Sequence, residues 1–330
     1  MSTLAATHPT LLDFKASLDP DNRVGTTIEM LAQTNEILQD AVFYPSNELT
    51  GHTVMIRTGL PEPAFRKFYG GVQPSKSTRV KVREGLGMME DYSEIDKALA
   101  DLNGNSAAWR AQEESAFVEG FGQKAARYMI YGNEATEPES FTGLAPRFND
   151  QSALNGENIL TSAATPDGND NTSIWLVVWG PNKVFGIYPK GSQAGLQIVD
   201  KGQVTIESAD GGGRMEAYRT HFKWDIGMCV ADWRYVVRIN YDLENVVEDG
   251  TTGPVISNLM AKALRRVPNL IGRPAFYMNR DSWDAFDLQA NAKATLAYRT
   301  IEDAQGKVTN TFRGVPIRRV DQITSTEAGI

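Results

Sequence analysis

Histidine and cysteine are scarce in this chain. It has three of the first, His8, His52 and His221, and one of the second, Cys229. Metal centres and Ser–His or Cys–His nucleophiles draw on these residues at set spacings, and here the histidines are scattered. No GxSxG, HExxH or CxxC stretch occurs. One cysteine cannot close an internal disulfide, which fits folding in a reducing compartment. Its surroundings, DIGMCVADW, read as a buried strand with no basic neighbour to activate the thiol, so Cys229 is expected to be a small core group. His221, beside Phe222 and Trp224, is likewise expected to be packed rather than ligating.

Long apolar runs are missing too. The longest is IWLVVW, Ile174–Trp179, far short of the about 20 residues a membrane helix needs. The first twenty residues show no basic stretch leading into an apolar one, so no signal peptide is expected. The chain is read as intracellular, or as leaving the cell by a route that needs no signal. Basic residues are outnumbered, 33 against 41 acids, for a net charge of −8 and a pI of about 5.1. That excludes a surface broadly built to grip nucleic acid.

The glycine clusters carry no phosphate chemistry. DGGGR (Asp210–Arg214) lacks the GK[ST] ending of a phosphate loop, and GSQAGLQ (191–197) leads into no helix, so both read as turns. DGNDN (167–171) starts like a calcium loop, but Thr172 stands where that loop needs Gly and Val178 where it needs Glu. No catalytic, cofactor-binding or metal-ligating residue is therefore nominated, and no cofactor is expected.

What is present is a series of elements. Residues 1–50 form an N-terminal arm. Within it Thr26 and Glu29 make a capping box for a helix with Ile28, Leu31, Leu38 and Val42 on one face, and Pro45 lies beyond its end. Residues 51–104 read as a long hairpin and a short helix. HTVMIR and TRVKVRE alternate with period two. Between them PEPAFRKFYGGVQPSK carries Phe65, Phe68 and Tyr69 with no core of their own. Residues 105–150 hold one helix of about 26 residues, roughly 40 Å long, ending at Gly132 as a C-cap glycine. Gly120 and Gly122 each weaken it by about 1 kcal/mol against Ala, which makes sense if another backbone packs there.

Residues 151–245 are β-rich, with strands in SIWLVVWG, KVFGIYP, GQVTIES, EAYRTHFKWDIGMCVAD and YVVRINYD. Turns are expected at GPN (180–182) and DKG (200–202), giving long antiparallel hairpins. Residues 246–330 hold an amphipathic helix with Pro254 in its first turn and Val255, Leu259, Ala263, Ile256, Met260 and Leu264 on its apolar face. A buried strand PAFYMN, a short helix RDSWDAFDLQAN and a terminal strand GVPIRRVDQI complete the chain. The fold class is α+β.

Charge is segregated. From Arg57 to Arg83 there are seven basic residues, Arg57, Arg66, Lys67, Lys76, Arg79, Lys81 and Arg83, and one acid, Glu62. From Glu84 to Glu119 there are nine acids and two bases. Glu84, Glu90, Asp91, Glu94 and Asp96 crowd a stretch read as a short polar helix facing solvent or a partner. Blocks of opposite sign can meet across copies and fix register.

In this order the pieces resemble a tailed-bacteriophage major capsid protein of the Hong Kong 97-type fold. STRVKVREGLGMMEDYSEIDKAL looks like the returning arm of an extended loop and its short helix. ESAFVEGFGQKAARYMIYGNEATEPESFTGLAPRF looks like a spine helix and its exit. SIWLVVWGPNKVFGIYPKGSQAGLQIVD and WDIGMCVADWRYVVRINYDLEN are similar to the major capsid proteins of epsilon-fifteen-like podoviruses. AFYMNRDSWDAF and FRGVPIRRVDQI resemble the closing strand–helix–strand portion. The likeness spans roughly residues 20–325.

The resemblance implies an N-terminal arm (1–50), an extended loop (51–104), a spine helix and exit (105–150), a peripheral-type β block (151–245) and an axial-type unit (246–330). It implies an icosahedral shell of hexamers and pentamers around double-stranded DNA, touched only nonspecifically. It also implies scaffold, portal and possibly decoration partners, no membrane, and assembly in the bacterial host cytoplasm. Inter-subunit contacts are expected at Phe65, Arg66, Lys67, Phe68, Tyr69, Arg79, Lys81, Arg83, Glu90, Asp91, Glu94, Trp109, Phe117 and Phe121. Some relatives crosslink a loop lysine to an asparagine. Lys67, Lys76 and Lys81 lie in the loop here, but nothing identifies a partner, so noncovalent locking is expected. Alternatives are an encapsulin-like compartment, a β-rich tail or adhesion protein, whose trimeric repeats are absent, and an enzyme with an unrecognised site.

Overall fold

The structure, a computed structural model, describes residues 33–102, 106–162, 170–207, 213–246, 253–292, 298–302 and 308–330. The capping box at Thr26 and Glu29, residues 167–169 and residues 210–212 lie outside them.

The chain opens with a short helix α1 (Ile37–Asp40), then β1 (Phe43–Pro45), the ribbon strands β2 (Gly51–Gly59) and β3 (Thr78–Gly85), and β4 (Gly87–Asp96). Helices α2 (Lys97–Ala100) and α3 (Ser106–Tyr131) follow. Next come β5 (Ile159–Thr161), β6 (Asn171–Trp179), β7 (Val184–Tyr188), β8 (Gln197–Glu207), β9 (Arg214–Val230) and β10 (Val236–Asp242). The last part holds α4 (Ile256–Arg266), β11 (Arg273–Met278), α5 (Arg280–Ala292), β12 (Tyr298–Glu302), β13 (Val308–Phe312) and β14 (Val315–Arg319). The chain divides into two compact units.

The larger unit takes in residues Asn35–Gly87, Ala126–Ser192 and Ile226–Ile330. Its centre is β6, buried along its whole length, as the unbroken apolar run predicts for a strand covered on both faces. β6 pairs antiparallel with β10 on one edge and with β11 on the other. The sheet continues through β14, β13 and β12. The GPN turn does not make a hairpin: β6 and β7 meet in parallel at Trp179 and Val184. Antiparallel pairing of β7 goes instead to the end of β9, from Val184–Val230 to Ile187–Gly227.

One face of this sheet is covered by α4 and α5. Ile256, Leu259, Met260 and Ala263 sit at helical spacing and join Leu176, Val178, Phe276, Phe286 and Phe312 in the main core. Pro254 lies just before the helix rather than in its first turn. No side chain of the N-cap residue Val255 satisfies the first turn. Gln289 of α5 does so, accepting from the Ile256 amide at 3.0 Å and donating to the Pro254 carbonyl at 2.9 Å.

Residues 35–46 are stitched to the same sheet. β1 runs parallel to β7, with Pro45 on this edge pairing, where a missing N–H is tolerated. Ile37 is the buried residue of α1. Asp40 accepts from the Tyr277 hydroxyl at 3.0 Å and from Arg318 at 3.1 Å.

The terminal strand is shorter than GVPIRRVDQI suggests, ending at Arg319. The residues beyond it return to the sheet, bridging Glu327 to Asn171.

The smaller unit includes Met88–Ala125 and Gln193–Asp225. β8 and β9 form a long antiparallel pair from Gln197–Lys223 to Glu207–Arg214. DKG is no turn: β8 runs through it with a bulge between Asp200 and Gly202, where Gly202 has φ +68°. β9 also pairs with β4. The acid-rich stretch is thus a strand, not the expected polar helix; the short helix after it is α2, capped by the Asp96 carboxylate accepting from Ala98 at 2.7 Å. Ile95, Ala100 and Trp109 form a small core.

Candidate assembly surface

The β2–β3 ribbon is built by alternation, and its two faces differ. Val54 pairs with Val82 and Ile56 with Val80, giving an apolar face. On the other face Arg57 stands opposite Arg79, Met55 opposite Lys81 and Thr53 opposite Arg83. Like charges directly opposite destabilise a strand pair. Arg83 is answered by Glu48 at 3.3 Å and by Thr50, but no ion pair within the chain relieves Arg57, Arg79 or Lys81 among the described residues.

At the tip Phe65, Phe68 and Tyr69 are 109%, 92% and 108% exposed. Three aromatics held fully in water on a cationic ribbon form an unpartnered surface. The base is clamped. Arg147 donates twice to the buried Glu84 carboxylate, at 2.7 and 2.6 Å, and also to the Gly143 and Thr142 carbonyls. Glu84 therefore belongs to this clamp and not to a free acidic surface.

On β4 the acids are partly answered by β9. Glu94 accepts from Arg219 at 2.6 Å. Glu90 lies 3.5 Å from His221 and 3.6 Å from Lys223, and the His221 ring stacks on Tyr92 at 4.6 Å. Asp91 is exposed, its carboxylate accepting the Tyr92 amide. Phe117 stacks on buried Phe222 at 5.2 Å, and Phe121 packs beside it at 6.2 Å.

Trp109 is 0% exposed, so it leaves the set of contact candidates. The structure therefore gathers the expected residues into two places. The ribbon holds Phe65, Arg66, Lys67, Phe68, Tyr69, Arg79, Lys81 and Arg83. Glu90, Asp91, Phe117 and Phe121 line one groove between β4 and α3, together with Met88 and Met89. Glu94 is held against Arg219 instead. Met88 and Met89 escaped sequence reasoning because a polar helix was expected there; the flanking GMM is the signal that was available.

The remaining chemistry is structural. Burial pushes the Cys229 thiol up to about 12, which removes it from nucleophilic use. Among the described residues no group of three or more His, Cys, Asp or Glu is placed to hold a metal ion. No described helix is long and apolar enough to cross a membrane.

A family model for the major capsid protein GP7 matches residues 19–330. The chain belongs to the major capsid protein GP7 family. A solved chain of bacteriophage epsilon15 is 38% identical, covers 100% of this chain and 99% of its own length, and superposes with a TM-score of 0.80. The capsid of bacteriophage JBD30 shares the fold at 10% identity, over 89% of this chain and 93% of that one, with a TM-score of 0.50. An encapsulin complex from Synechococcus elongatus aligns at 11% identity over 66% of this chain and 91% of that one, with a TM-score of 0.41, too loose to argue from. No curated protein matches. The capsid subunit has the Hong Kong 97-type fold and is a structural component of a phage icosahedral shell.

Proposed function

We propose that this capsid subunit tiles its shell as hexamers and pentamers, with residues 1–50 as the arm, 51–104 as the extended loop, and 105–150 as the spine and its exit. Residues 151–245 and 246–330 then supply the peripheral-type and axial-type parts. The match to the epsilon15 chain along the whole length supports this reading. Contacts between copies run through the ribbon tip, Phe65 to Tyr69, through the unrelieved cations Arg79 and Lys81, and through Glu90, Asp91, Phe117 and Phe121.

In this reading the subunit performs no catalysis and carries no cofactor. It assembles in the host cytoplasm with a scaffold and a portal, and a decoration protein can sit outside. The acidic balance suits a wall against which packaged DNA must slide, touched only nonspecifically. Negative-stain electron microscopy of the purified chain, alone and coexpressed with scaffold candidates, tests this. Closed shells or rings of five and six subunits are expected; monomers or small dimers under every condition would overturn it.

A further inference from the structure

The turn from β1 into β2, Ser46 to Thr53, is held largely by side chains. The Asn47 side chain accepts from the Thr53 amide and donates to the Thr53 carbonyl, both at 2.8 Å. The Ser46 hydroxyl donates to the Glu48 carbonyl and accepts from the Lys190 amide at 3.1 Å. His52 closes the turn. Its Nδ1 accepts from the Asn47 amide at 3.3 Å, and its ring stands edge-on to Phe185 of β7, with centroids 5.4 Å apart. Phe185 belongs with Ile187 and Cys229 to a small core against which Tyr44, Val54 and Leu86 pack. One imidazole therefore ties the turn to the core beneath the ribbon base.

An acceptor at Nδ1 puts the single proton of the neutral ring on Nε2. A second proton must go to Nδ1, where it meets the Asn47 N–H, donor against donor. The nearby carboxylates are already engaged at both oxygens. Glu48 accepts from the Thr53 hydroxyl at 2.5 Å and from Arg83 at 3.3 Å. Glu84, opposite His52 in the strand register, holds Arg147 with both of its own. Tyr44 of β1 and Cys229 of β9 are the other ionisable side chains of the cluster. Burial is the largest influence on His52 and holds it below its ordinary 6.5, against the pull of Glu48 and Glu84. The Thr53 hydroxyl holds Glu48 below the usual carboxylate range, so Glu48 stays charged while His52 titrates. The closed turn binds the second proton less well than an open one. Its stability is whole above about pH 6.5 and falls as the pH drops below that.

We propose that the ribbon base is an acid-released joint: when His52 gains its second proton, the ring leaves the Asn47 amide and Phe185, the Ser46–Thr53 turn opens, and the ribbon loses its fixed direction. The Arg147–Glu84 clamp on the β3 side then acts as the pivot. This goes beyond the shell reading and is a property of the single subunit.

Hydrogen exchange of the purified chain, read by mass spectrometry at about pH 7.5 and about pH 5.5 and corrected for the intrinsic rate at each, tests it. The open fraction over residues 46–58 should rise by about threefold or more on acidification, while β6 stays protected at both. His52→Asn offers an amide oxygen in the place of Nδ1 and has no proton to gain, so it should abolish the rise; His221→Asn should keep it. No rise in the wild-type chain, a rise that survives in His52→Asn, or one abolished by His221→Asn overturns the proposal. If His52→Asn does not fold, exchange of the histidine C2 hydrogen in the wild-type chain decides: a His52 pKa at or above the ordinary 6.5 overturns the joint.

Discussion

Arg238 of β10 and Glu327, three residues before the last, meet at 2.7 Å with both side chains almost wholly buried. The Glu327 carboxylate also accepts from the hydroxyls of Tyr131 and Ser173 and from Asn240 at 3.3 Å. Arg238 donates as well to the Phe148 carbonyl at 2.8 Å. The C-terminal segment thus completes the large unit by supplying the carboxylate to a buried guanidinium. Glu327→Ala leaves that cation uncompensated and should destabilise the subunit by about 3–5 kcal/mol. Urea unfolding should show a lower midpoint with an unchanged slope; an unchanged midpoint would show that the pair contributes nothing.

Two glycines of α3 and its exit should respond oppositely to alanine. At Gly132 an added Cβ falls against the Phe141 and Tyr128 carbonyl oxygens, in the place where Gly143 donates to the Gly132 carbonyl at 2.8 Å. Gly132→Ala should therefore cost about 1–3 kcal/mol, as other overpacked sites do. At Gly120 the space is open, so Gly120→Ala should stabilise the isolated subunit by about 1 kcal/mol. Denaturant melts of both variants check the pair of signs.

These two glycines also mark how far the sequence could be read. The positional cue placed a C-cap glycine at Gly132, and the helix does end there. The reason is the crossing exit chain rather than a left-handed turn: Gly132 is absent from the positive-φ glycines. The expectation that a backbone packs at Gly120 and Gly122 is not met among the described residues. Alternation exposed β2 and β3, an unbroken apolar run exposed β6, and spacing exposed α4, because those patterns record local burial. β4 was misread because GMMEDYSEID shows acids without their partners. Arg219 lies 125 residues from Glu94, and no local pattern carries that pairing. The same distance hid Glu327, 89 residues from Arg238. Trp109 is expected at a contact between copies, but Ile95 of β4 and Ala100 of α2 bury it in a small core.

The subunit should lose stability in alkali. The Cys229 thiol is raised from its ordinary 9.0 to about 12 by burial, with the nearby Glu84 charge adding to the effect. Burial also holds the hydroxyls of Tyr131, Tyr241 and Tyr277 well above their usual range. Each group keeps its proton in the folded state at a pH where the unfolded chain releases it. Unfolding then releases protons, so the stability these groups contribute is intact below about pH 9 and declines from there toward pH 12. Thermal melts at pH 7 and pH 10.5 should show the fall, and Cys229→Ala should lessen it. Thiol reagents at pH 8 should modify Cys229 only after denaturant is added; rapid labelling of the native subunit would contradict the burial.

Particles of this subunit should hold together without covalent links between chains. The ribbon lysines Lys67, Lys76 and Lys81 are all exposed to solvent. Activation of a lysine for attack needs desolvation or a cationic neighbour that lowers its affinity for the proton. A lock made of seated aromatics and facing charges behaves differently from an isopeptide bond. Its charged part should weaken in 1 M salt, where the screening length falls to about 3 Å, so particles should fall apart faster in denaturant at high salt than at low salt. Boiled in detergent with reductant, they should run as a single band at 36.3 kDa. A ladder of higher bands under those conditions would show that neighbouring copies provide a lysine with the desolvated setting that it lacks on its own chain.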